Sequence, residues 1–237
     1  MSVLGRTAAL VPAAGRGERL GAGAPKALRL IGGTPMLVHA VHALASSRAV
    51  DLVVVAAPEA DVDDVRALLT EHPGPAEVMV VTGGATRQDS VARALLALPA
   101  DVDVVLVHDA ARPLVPSELV SAVVAEVRRG HEAVIPALPV TDTIKQVDAQ
   151  DDVVGTPDRS VLRAVQTPQG FDRSVLQAAH AAADVDSATD DAALVERQGV
   201  SVRVILGHEE AFKVTRPIDL VLAEAVLAKR RASRAIG

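Results

Sequence analysis

Cysteine, tryptophan and tyrosine are missing from this 237-residue sequence, and phenylalanine occurs only twice. The lack of cysteine excludes disulfide bonds, thiolate metal sites and a cysteine nucleophile, and it is compatible with a reducing compartment. With so few aromatic side chains, the protein cannot stack the bases of a single-stranded nucleic acid on aromatic rings. Any nucleobase must instead be recognised by backbone groups and small side chains.

Excess positive charge and long apolar runs are also missing. The net charge is −6, which gives no general attraction for nucleic acids. No apolar run approaches the roughly 20 residues that a membrane-spanning helix needs. We therefore expect a cytoplasmic protein whose partners include neither nucleic acid nor a membrane. Hydrophobic residues make up 49% of the chain, which is enough for the core of one α/β domain over residues 1–237.

Short runs of valine, leucine, isoleucine and alanine alternate with longer amphipathic stretches along most of the chain. Runs that are apolar on both faces are typical of parallel strands covered by helices on each side. We therefore predict an α/β fold with a Rossmann-like, mostly parallel sheet and helices on both faces. Strands are predicted at 8–12, 52–56, 78–81, 104–107, 133–136 and 202–206. Helices are predicted at 36–45, 61–70, 87–98, 117–129, 174–183, 190–198 and 218–229.

Residues 138–165 interrupt this alternation, because they contain β-type residues and a polar turn at 148–152 but no helical period. We predict that they form a β-hairpin arm that projects from the sheet. An uncovered arm is costly, so we expect it to pack against a second subunit in a homodimer. An ordinary surface hairpin is the alternative.

The first predicted strand continues into a loop that is rich in glycine and positive charge. Four glycines and three cations lie within residues 12–26. Backbone N–H groups of such a loop approach an anion closely, so we predict a polyphosphate site. The pattern fits neither a dinucleotide-binding fingerprint, because Leu20 takes the place of the third glycine, nor a Walker A loop, because Ala27 follows Lys26. A simple strand-to-helix turn with surface cations is the alternative.

A carboxylate follows the predicted strand 104–107 almost directly, in the segment HDAARP at 108–113. Ligands of open α/β sheets bind beyond the carboxyl ends of the strands, so Asp109 is placed to bind a metal ion over phosphates. Because Mg²⁺ is commonly held by one or two carboxylates together with phosphate oxygens and water, we predict Mg²⁺ as the cofactor. Arg112 would bind a phosphate or orient Asp109. Asp109 as a helix cap, or as an ion-pair partner of Arg112, is the alternative.

Several motifs together resemble a known enzyme family. The run AAGRGERL at 13–20, with Pro25 and Lys26, resembles the opening motif of the nucleotide-sugar pyrophosphorylase superfamily. The later motifs resemble one branch of it, the 2-C-methyl-D-erythritol 4-phosphate cytidylyltransferase family of the non-mevalonate isoprenoid pathway, and the ordered match runs from about residue 8 to 227. Ala85 departs from the pattern, because relatives often carry an acidic residue there. The later motifs are 83–84 with Arg87 and Ser90, 108–113, 142–145, 167–171, 189–191 and 213–215.

The resemblance implies a homodimer that transfers a cytidylyl group from CTP to the polyol phosphate and releases pyrophosphate. It implies catalytic roles for Arg19, Lys26 and Lys213, and Mg²⁺ bound by Asp109. The nucleotide-binding residues that it implies are Pro12, Ala13, Ala14, Gly15, Gly83, Gly84, Ser90, Asp109 and Ala110. The substrate-binding residues that it implies are Arg112, Thr143, Arg159, Thr167, Thr189 and Thr215.

A phosphate monoester is already a nucleophile near neutral pH, so this reaction needs no protein base. The sequence accordingly offers no evident histidine–carboxylate pair, which argues against a rival that activates an acidic sugar through its hydroxyl. A cytidylyltransferase for ribitol 5-phosphate is the close alternative, because its nucleotide half would look the same. An NAD-dependent oxidoreductase is disfavoured by Leu20 and by the lack of a ribose-binding acid after the second strand. A non-catalytic nucleotide-binding module would not need Arg19, Lys26, Asp109 and Lys213 together.

Overall fold

The computed structural model describes residues 5–14, 26–184 and 188–236. The strands are β1 (Arg6–Pro12), β2 (Leu30–Ile31), β3 (Thr34–Pro35), β4 (Leu52–Ala57), β5 (Glu77–Thr82), β6 (Val102–Val107), β7 (Ala133–Pro139), β8 (Gln146–Val147), β9 (Val153–Gly155), β10 (Arg163–Val165), β11 (Gln169–Asp172) and β12 (Val202–Leu206). The helices are α1 (Met36–Ala45), α2 (Val62–Glu71), α3 (Arg87–Leu96), α4 (Ser117–Arg128), α5 (Arg173–Ala182), α6 (Asp191–Arg197) and α7 (Pro217–Ile236). In these ranges we find no helix that is long and apolar enough to cross a membrane.

Eight of the described strands form one sheet, in the order β10-β7-β11-β6-β1-β4-β5, with β12 paired to β7. β1 pairs in parallel with both β4 and β6, β4 with β5, and β7 with β12. Only β10 and β11 pair antiparallel to their neighbours in this sheet. The predicted mostly parallel sheet is confirmed, and so is each of its six predicted strands.

Helices cover both faces of the central strands. Because successive side chains of a strand point to opposite faces, each central strand contributes to two cores. In β1, Ala9 and Val11 belong to the core that α1, α2 and α4 cover, whereas Ala8 and Leu10 belong to the core that α3, α5 and α6 cover. All four side chains are completely buried. The continuous apolar run of β1 therefore reflects a strand with a helical layer on each side.

Two local features differ from the predictions. Strand β11 lies between β6 and β7, although its sequence Gln-Gly-Phe-Asp has no strand-like pattern. Gly170 is needed there because a Cβ atom would lie 2.5 Å from Cγ1 of Val123 on α4. Residues 30–35 form the small hairpin β2–β3, which was not predicted, whereas α1 begins at Met36 as predicted.

The predicted arm emerges from the sheet between β7 and β10. Its ends belong to the main sheet, because Leu138 pairs with Ala164 and Pro139 with Arg163. Residues 140–162, which we call the arm, contain the antiparallel hairpin β8–β9. The Asp148 carboxylate closes its polar turn by accepting hydrogen bonds from two backbone N–H groups of residues 150 and 152. The arm is thus an ordered hairpin attached to the sheet at both ends.

Candidate active site

The predicted functional loops meet at one edge of the sheet because β1, β4, β5 and β6 all end there. The N–H of His108 donates to the carbonyl of Leu10 at 2.9 Å, so the segment after β6 starts beside the end of β1. The N–H of Ala13 donates to the carbonyl of Ala56 at 2.9 Å, and the N–H of Gly83 donates to that of Ala57 at 2.7 Å. The loop after β1 therefore begins between the Asp109 segment and the Gly83-Gly84 segment.

Asp109 is the centre of a cluster of positive charge. Its Oδ2 atom lies 2.8 Å from Nζ of Lys213 and 3.8 Å from Nε of Arg112. Its Oδ1 atom lies 3.4 Å from Nε of Arg87. The Asp109 side chain is 13% exposed, whereas that of Lys213 is 42% exposed and thus faces the solvent side of the cluster. Three cations from three different segments of the chain therefore converge on one carboxylate.

These cations keep Asp109 ionised. Burial alone would raise the pKa of its carboxyl group, but Lys213 and Arg87 together with Arg112 hold that pKa well below its usual value. The charge on Asp109 is therefore present throughout the neutral pH range. An ionised, partly accessible carboxylate surrounded by cations is suited to a polyanion that arrives with its own metal ion.

His108 and Thr167 fix the backbone of Asp109. Nε2 of His108 lies 3.1 Å from the carbonyl of Arg112, and a carbonyl only accepts, so this nitrogen carries the proton. His108 is completely buried, which lowers its pKa to about 4 and keeps the ring neutral. Its Nδ1 therefore accepts from the Thr167 hydroxyl at 2.9 Å, and that hydroxyl oxygen accepts from the N–H of Asp109 at 3.1 Å. The only hydroxyl proton of Thr167 is thus used inside the chain.

Arg112 and Lys213 belong to segments that are tied together. Arg112 donates from Nη1 to the carbonyl of Ala211 at 2.7 Å and from Nη2 to that of Val165 at 3.2 Å. The N–H of Val214, next to Lys213, donates to the carbonyl of Ala111 at 2.8 Å. The segment that carries Lys213 is therefore held against the turn that carries Asp109.

A second group of predicted residues lies at the end of β5. The Ser90 hydroxyl accepts from the N–H of Gly84 at 3.0 Å and donates to the carbonyl of Thr86 at 2.8 Å. A Cβ atom at Gly83 would lie 3.0 Å from Cβ of Ala14 and 3.1 Å from Oγ of Ser90. Glycine suits this position because the loops after β1 and β5 approach each other so closely that a side chain would crowd Ala14 and Ser90.

The remaining predicted substrate residues lie in separate places. Thr143 and Arg159 are exposed on the arm, where Arg159 donates to the carbonyl of Thr141. Thr189 is exposed just before α6, and Thr215 uses its hydroxyl to donate to Asp219 at the start of α7. Among the described residues, no hydrogen bond or ion pair joins any of these four to Asp109.

The remaining predicted residues belong to the nucleotide-binding and catalytic sets, and the structure describes only some of them. Pro12 ends β1, Ala13 and Ala110 are buried, and Ala14 is half-buried in the loop that follows. Gly15 and Arg19 lie outside the described residues. Lys26 begins a short 3-10 helix over residues 26–28, and its side chain is likewise outside the description.

The sequence-based interpretation missed one network and was wrong on one point. Arg87 contacts a second carboxylate, that of Asp191, through Nη1 at 2.7 Å, and Asp191 lies 2.9 Å from Nε2 of His180. A histidine–carboxylate pair therefore exists, contrary to the prediction. Both of its side chains are at most 4% exposed, so the pair is not accessible to a substrate as a base. The available signal was the doublet Asp190-Asp191, of which only one residue is needed to cap a helix.

Comparison with known proteins identifies the family. A profile described as 2-C-methyl-D-erythritol 4-phosphate cytidylyltransferase matches residues 7–229. The chain belongs to this family. The predicted enzyme class, a nucleotidyltransferase of the non-mevalonate pathway, is thereby confirmed, as is the predicted family resemblance.

Individual members of the cytidylyltransferase family are similar over nearly the whole chain. The protein of that name from Streptomyces coelicolor is 60% identical over 234 residues, covering 95% of this chain and 86% of the relative. The one from Frankia casuarinae is 62% identical over 224 residues, covering 94% and 82%. The crystal structure of the protein of that name from Thermus thermophilus is similar to this structure with a TM-score of 0.74. The two sequences are 39% identical, and the match covers 93% of this chain and 98% of the relative.

Proposed function

We propose that this cytidylyltransferase moves the cytidylyl group of CTP onto 2-C-methyl-D-erythritol 4-phosphate by means of Mg²⁺ held at Asp109, and that it acts as a homodimer. The observation that carries the metal and phosphate assignment is the Asp109 cluster. An ionised carboxylate with Nζ of Lys213 at 2.8 Å stands at the strand edge where the glycine-rich loop begins. A cytoplasmic location stays a prediction.

Mg²⁺ fits the residues that are present. The described residues contain no group of three or more histidine, cysteine, aspartate or glutamate side chains that would enclose a metal ion. A metal ion at Asp109 would therefore take most of its ligands from phosphate oxygens and water, which is the arrangement that Mg²⁺ commonly adopts. When bound, the ion would offset charge on the triphosphate.

The chain's own cations would do the rest of the charge stabilisation. In the reaction, a phosphate oxygen of the polyol phosphate attacks the α-phosphorus of CTP in line with the leaving pyrophosphate. Lys213 has an exposed side chain that can turn from Asp109 to a phosphate, and the resemblance gives Arg19 and Lys26 the same task. Catalysis would then rest on positioning two polyanions and stabilising the transition state, without a protein base.

The nucleoside end of CTP would bind between the loops after β1 and β5. A side chain at Gly83 would meet Ala14 and one at Gly84 would meet the Asp89 carboxylate, so the two glycines let the loops pack closely, and Ser90 holds the N–H of Gly84 in place. Ala13 and Ala14 form the opposite side, so backbone groups would recognise the cytosine. This agrees with a chain that has almost no aromatic residues for stacking.

The polyol phosphate would be bound partly by the arm. Thr143 and Arg159 keep their proposed contacts, and so do Arg112 and Thr189. The Thr215 hydroxyl donates its proton to Asp219, so we assign Thr215 to the start of α7 in place of a phosphate contact. Because its hydroxyl proton is bound to His108, we assign Thr167 to the orientation of Asp109 in place of a phosphate contact. The arm exposes Val153 and Val154, each at 59%, and Val161 at 76%, which supports burial against a partner subunit.

Pyrophosphate release tests the proposal. The full chain is incubated with CTP and Mg²⁺ and with methylerythritol phosphate, ribitol 5-phosphate or no acceptor. We expect release with methylerythritol phosphate only. Release with only ribitol 5-phosphate would establish the alternative acceptor, which no observation here favours. Release with neither would contradict catalysis and point to a nucleotide-binding module.

A further inference from the structure

Arg87 connects the Asp109 cluster to a second, deeper carboxylate. It stands at the start of α3, with Nε facing Oδ1 of Asp109 at 3.4 Å and Nη1 facing Oδ2 of Asp191 at 2.7 Å. The guanidinium group suits this bridging position because it presents several N–H donors in a fixed plane. The Asp191 side chain is only 1% exposed, so its charge is not screened by water.

Asp191 is not required for the start of its own helix. Asp190 caps α6 by accepting from the N–H of Ala193 at 3.0 Å. The two oxygens of Asp191 are used elsewhere, Oδ1 by Nε2 of His180 and Oδ2 by Arg87. Asp191 therefore connects α5, α6 and α3, and its contact on the side of the active site is Arg87.

The charges around Asp109 explain what this contact does. Lys213, Arg87 and Arg112 bring three positive charges to the single negative charge of Asp109. Asp191 adds a second negative charge, so the cluster carries a net charge of +1 instead of +2. A divalent cation binds less readily where uncompensated positive charge is larger.

We propose that Asp191 is a positioning residue for the metal site: it holds Arg87 on Oδ1 of Asp109 and balances its charge, so that the Asp109 carboxylate can bind a divalent cation once Lys213 turns to a phosphate. This inference rests on the proposed function, because it concerns the metal ion at Asp109. It assigns a role to a residue whose side chain is 1% exposed and which is not among the proposed nucleotide or acceptor contacts.

The test measures metal binding directly. Mn²⁺ is titrated into the full chain with CTP and followed by electron paramagnetic resonance, for the parent and for Asp191→Asn. We expect the Mn²⁺ affinity of the variant to fall roughly 10- to 100-fold, as is typical when a partner of a metal ligand is lost. CTP affinity measured by calorimetry in EDTA should stay unchanged or rise, because an uncompensated Arg87 attracts the triphosphate. A parallel fall in both affinities would indicate mere structural damage and overturn the proposal.

Three further variants complete the test. The double variant Arg87→Met with Asp191→Asn leaves no unpaired buried charge and restores the net charge to +1. Its Mn²⁺ affinity should return to within a few-fold of the parent, even if Asp191→Asn alone does not fold. A double variant that binds Mn²⁺ as weakly as Asp109→Asn would overturn the proposal.

Asp103→Asn is the matched control. Asp103 lies on β6 at the end away from Asp109, and it pairs with Arg128 of α4 at 3.0 Å. Its Mn²⁺ affinity should equal that of the parent. Asp109→Asn distinguishes a failure of the proposed metal site from a failure of the proposed role of Asp191. If Asp109→Asn keeps normal Mn²⁺ affinity, the proposed metal site itself is wrong. If it loses affinity while Asp191→Asn does not, only the role of Asp191 is wrong.

Discussion

The two ends of the proposed active site are built in opposite ways. Around Asp109, whose side chain is 13% exposed, charged groups are paired with one another and tied to neighbouring backbone within one chain. On the arm, Thr143 and Arg159 are exposed and so are the valines beside them. On the proposed assignment, a single chain preorganises the part that would handle the triphosphate, whereas the part that would receive the acceptor would gain its surroundings from a second copy.

This contrast follows from chemistry. Stabilising charge on a phosphoryl group in the transition state requires donors that are already in place, and burial makes their interactions stronger. A binding surface for an acceptor can be completed on association, because apolar residues at the subunit contact supply the energy that orders it. The contrast can be tested by damaging each end separately.

The largest expected effect follows from Asp109→Asn. Removal of this carboxylate leaves three cations without their common partner and removes the proposed metal ligand. We expect kcat/KM to fall by about 10³-fold, similar to the loss of other preorganised charge-stabilising groups. Steady-state pyrophosphate release measures the change, and circular dichroism checks the fold.

Asp103→Asn is again the control, since it makes the same substitution at the end of β6 that lies away from the site. It should keep nearly full activity. The proposed dimer should persist in both variants. An Asp109→Asn enzyme with near-normal turnover would contradict the assignment of this residue.

The next effect concerns the arm. Val154→Asp places a charge on an exposed apolar residue that we expect to be covered by the partner subunit. Burying an unpaired charge should weaken the dimer by about 2 kcal/mol or more. Sedimentation velocity should show a shift towards monomer, and the KM for methylerythritol phosphate should rise more than the KM for CTP.

Leu96→Asp serves as the control for the arm variant, because Leu96 is 84% exposed at the end of α3, outside the arm. It should leave the sedimentation and both KM values unchanged. If Val154→Asp stays dimeric with normal kinetics, the arm is an ordinary surface hairpin. If it raises the two KM values equally, the proposed division of the site is wrong.

The same contrast explains what could be predicted from sequence. The central parallel strands β1, β4 and β6 were predicted well because each is a short apolar run that is largely buried on both faces, as in β4 with its six buried residues. Strand β11 was missed because its place is decided by partners far along the chain. It pairs with β6 and β7, and its glycine is demanded by α4, so no local pattern marks it.

Single residues of the site follow the same division. The position of Asp109 could be predicted because a carboxylate that follows a parallel strand lies at the ligand edge of an α/β sheet, while its role in binding stays a prediction. The bridge from Arg87 to Asp191 could not, since the two residues are about a hundred positions apart and meet only through tertiary packing. Thr167 shows the limit of prediction from motifs. The motif identifies the residue, but only the fold shows that its hydroxyl donates to His108.

A smaller effect concerns stability at acidic pH and tests the interior of the Asp109 end. Burial lowers the pKa of His108 to about 4 from its ordinary value of 6.5, so below pH 6.5 the unfolded chain takes up a proton that the folded chain refuses. The free energy of unfolding should therefore decrease as the pH is lowered. His108 alone should account for about 2 kcal/mol of this decrease between about pH 6.5 and about pH 5.

Urea unfolding at both pH values measures this contribution of His108. His108→Gln should be less stable at neutral pH, but its stability should change less on acidification than that of the parent. His131→Gln is the control, because His131 has a side chain that is 41% exposed outside the core. Equal pH slopes for the parent and His108→Gln would show that His108 is not held neutral by burial.

The smallest effect separates the nucleoside loop from the charge cluster. Ser90→Ala removes the acceptor for the N–H of Gly84 and costs about 1 kcal/mol of stability. Since the Gly83-Gly84 backbone would contact the cytosine, we expect the KM for CTP to rise a few-fold while kcat and the KM for methylerythritol phosphate stay unchanged. Ser121→Ala is the control, because the Ser121 hydroxyl on α4 likewise bonds to backbone, at the carbonyls of Ser117 and Ser47. A loss of kcat in Ser90→Ala would mean that this loop acts on the reacting phosphate, and that the nucleoside and charge-stabilising parts of the site are not separate.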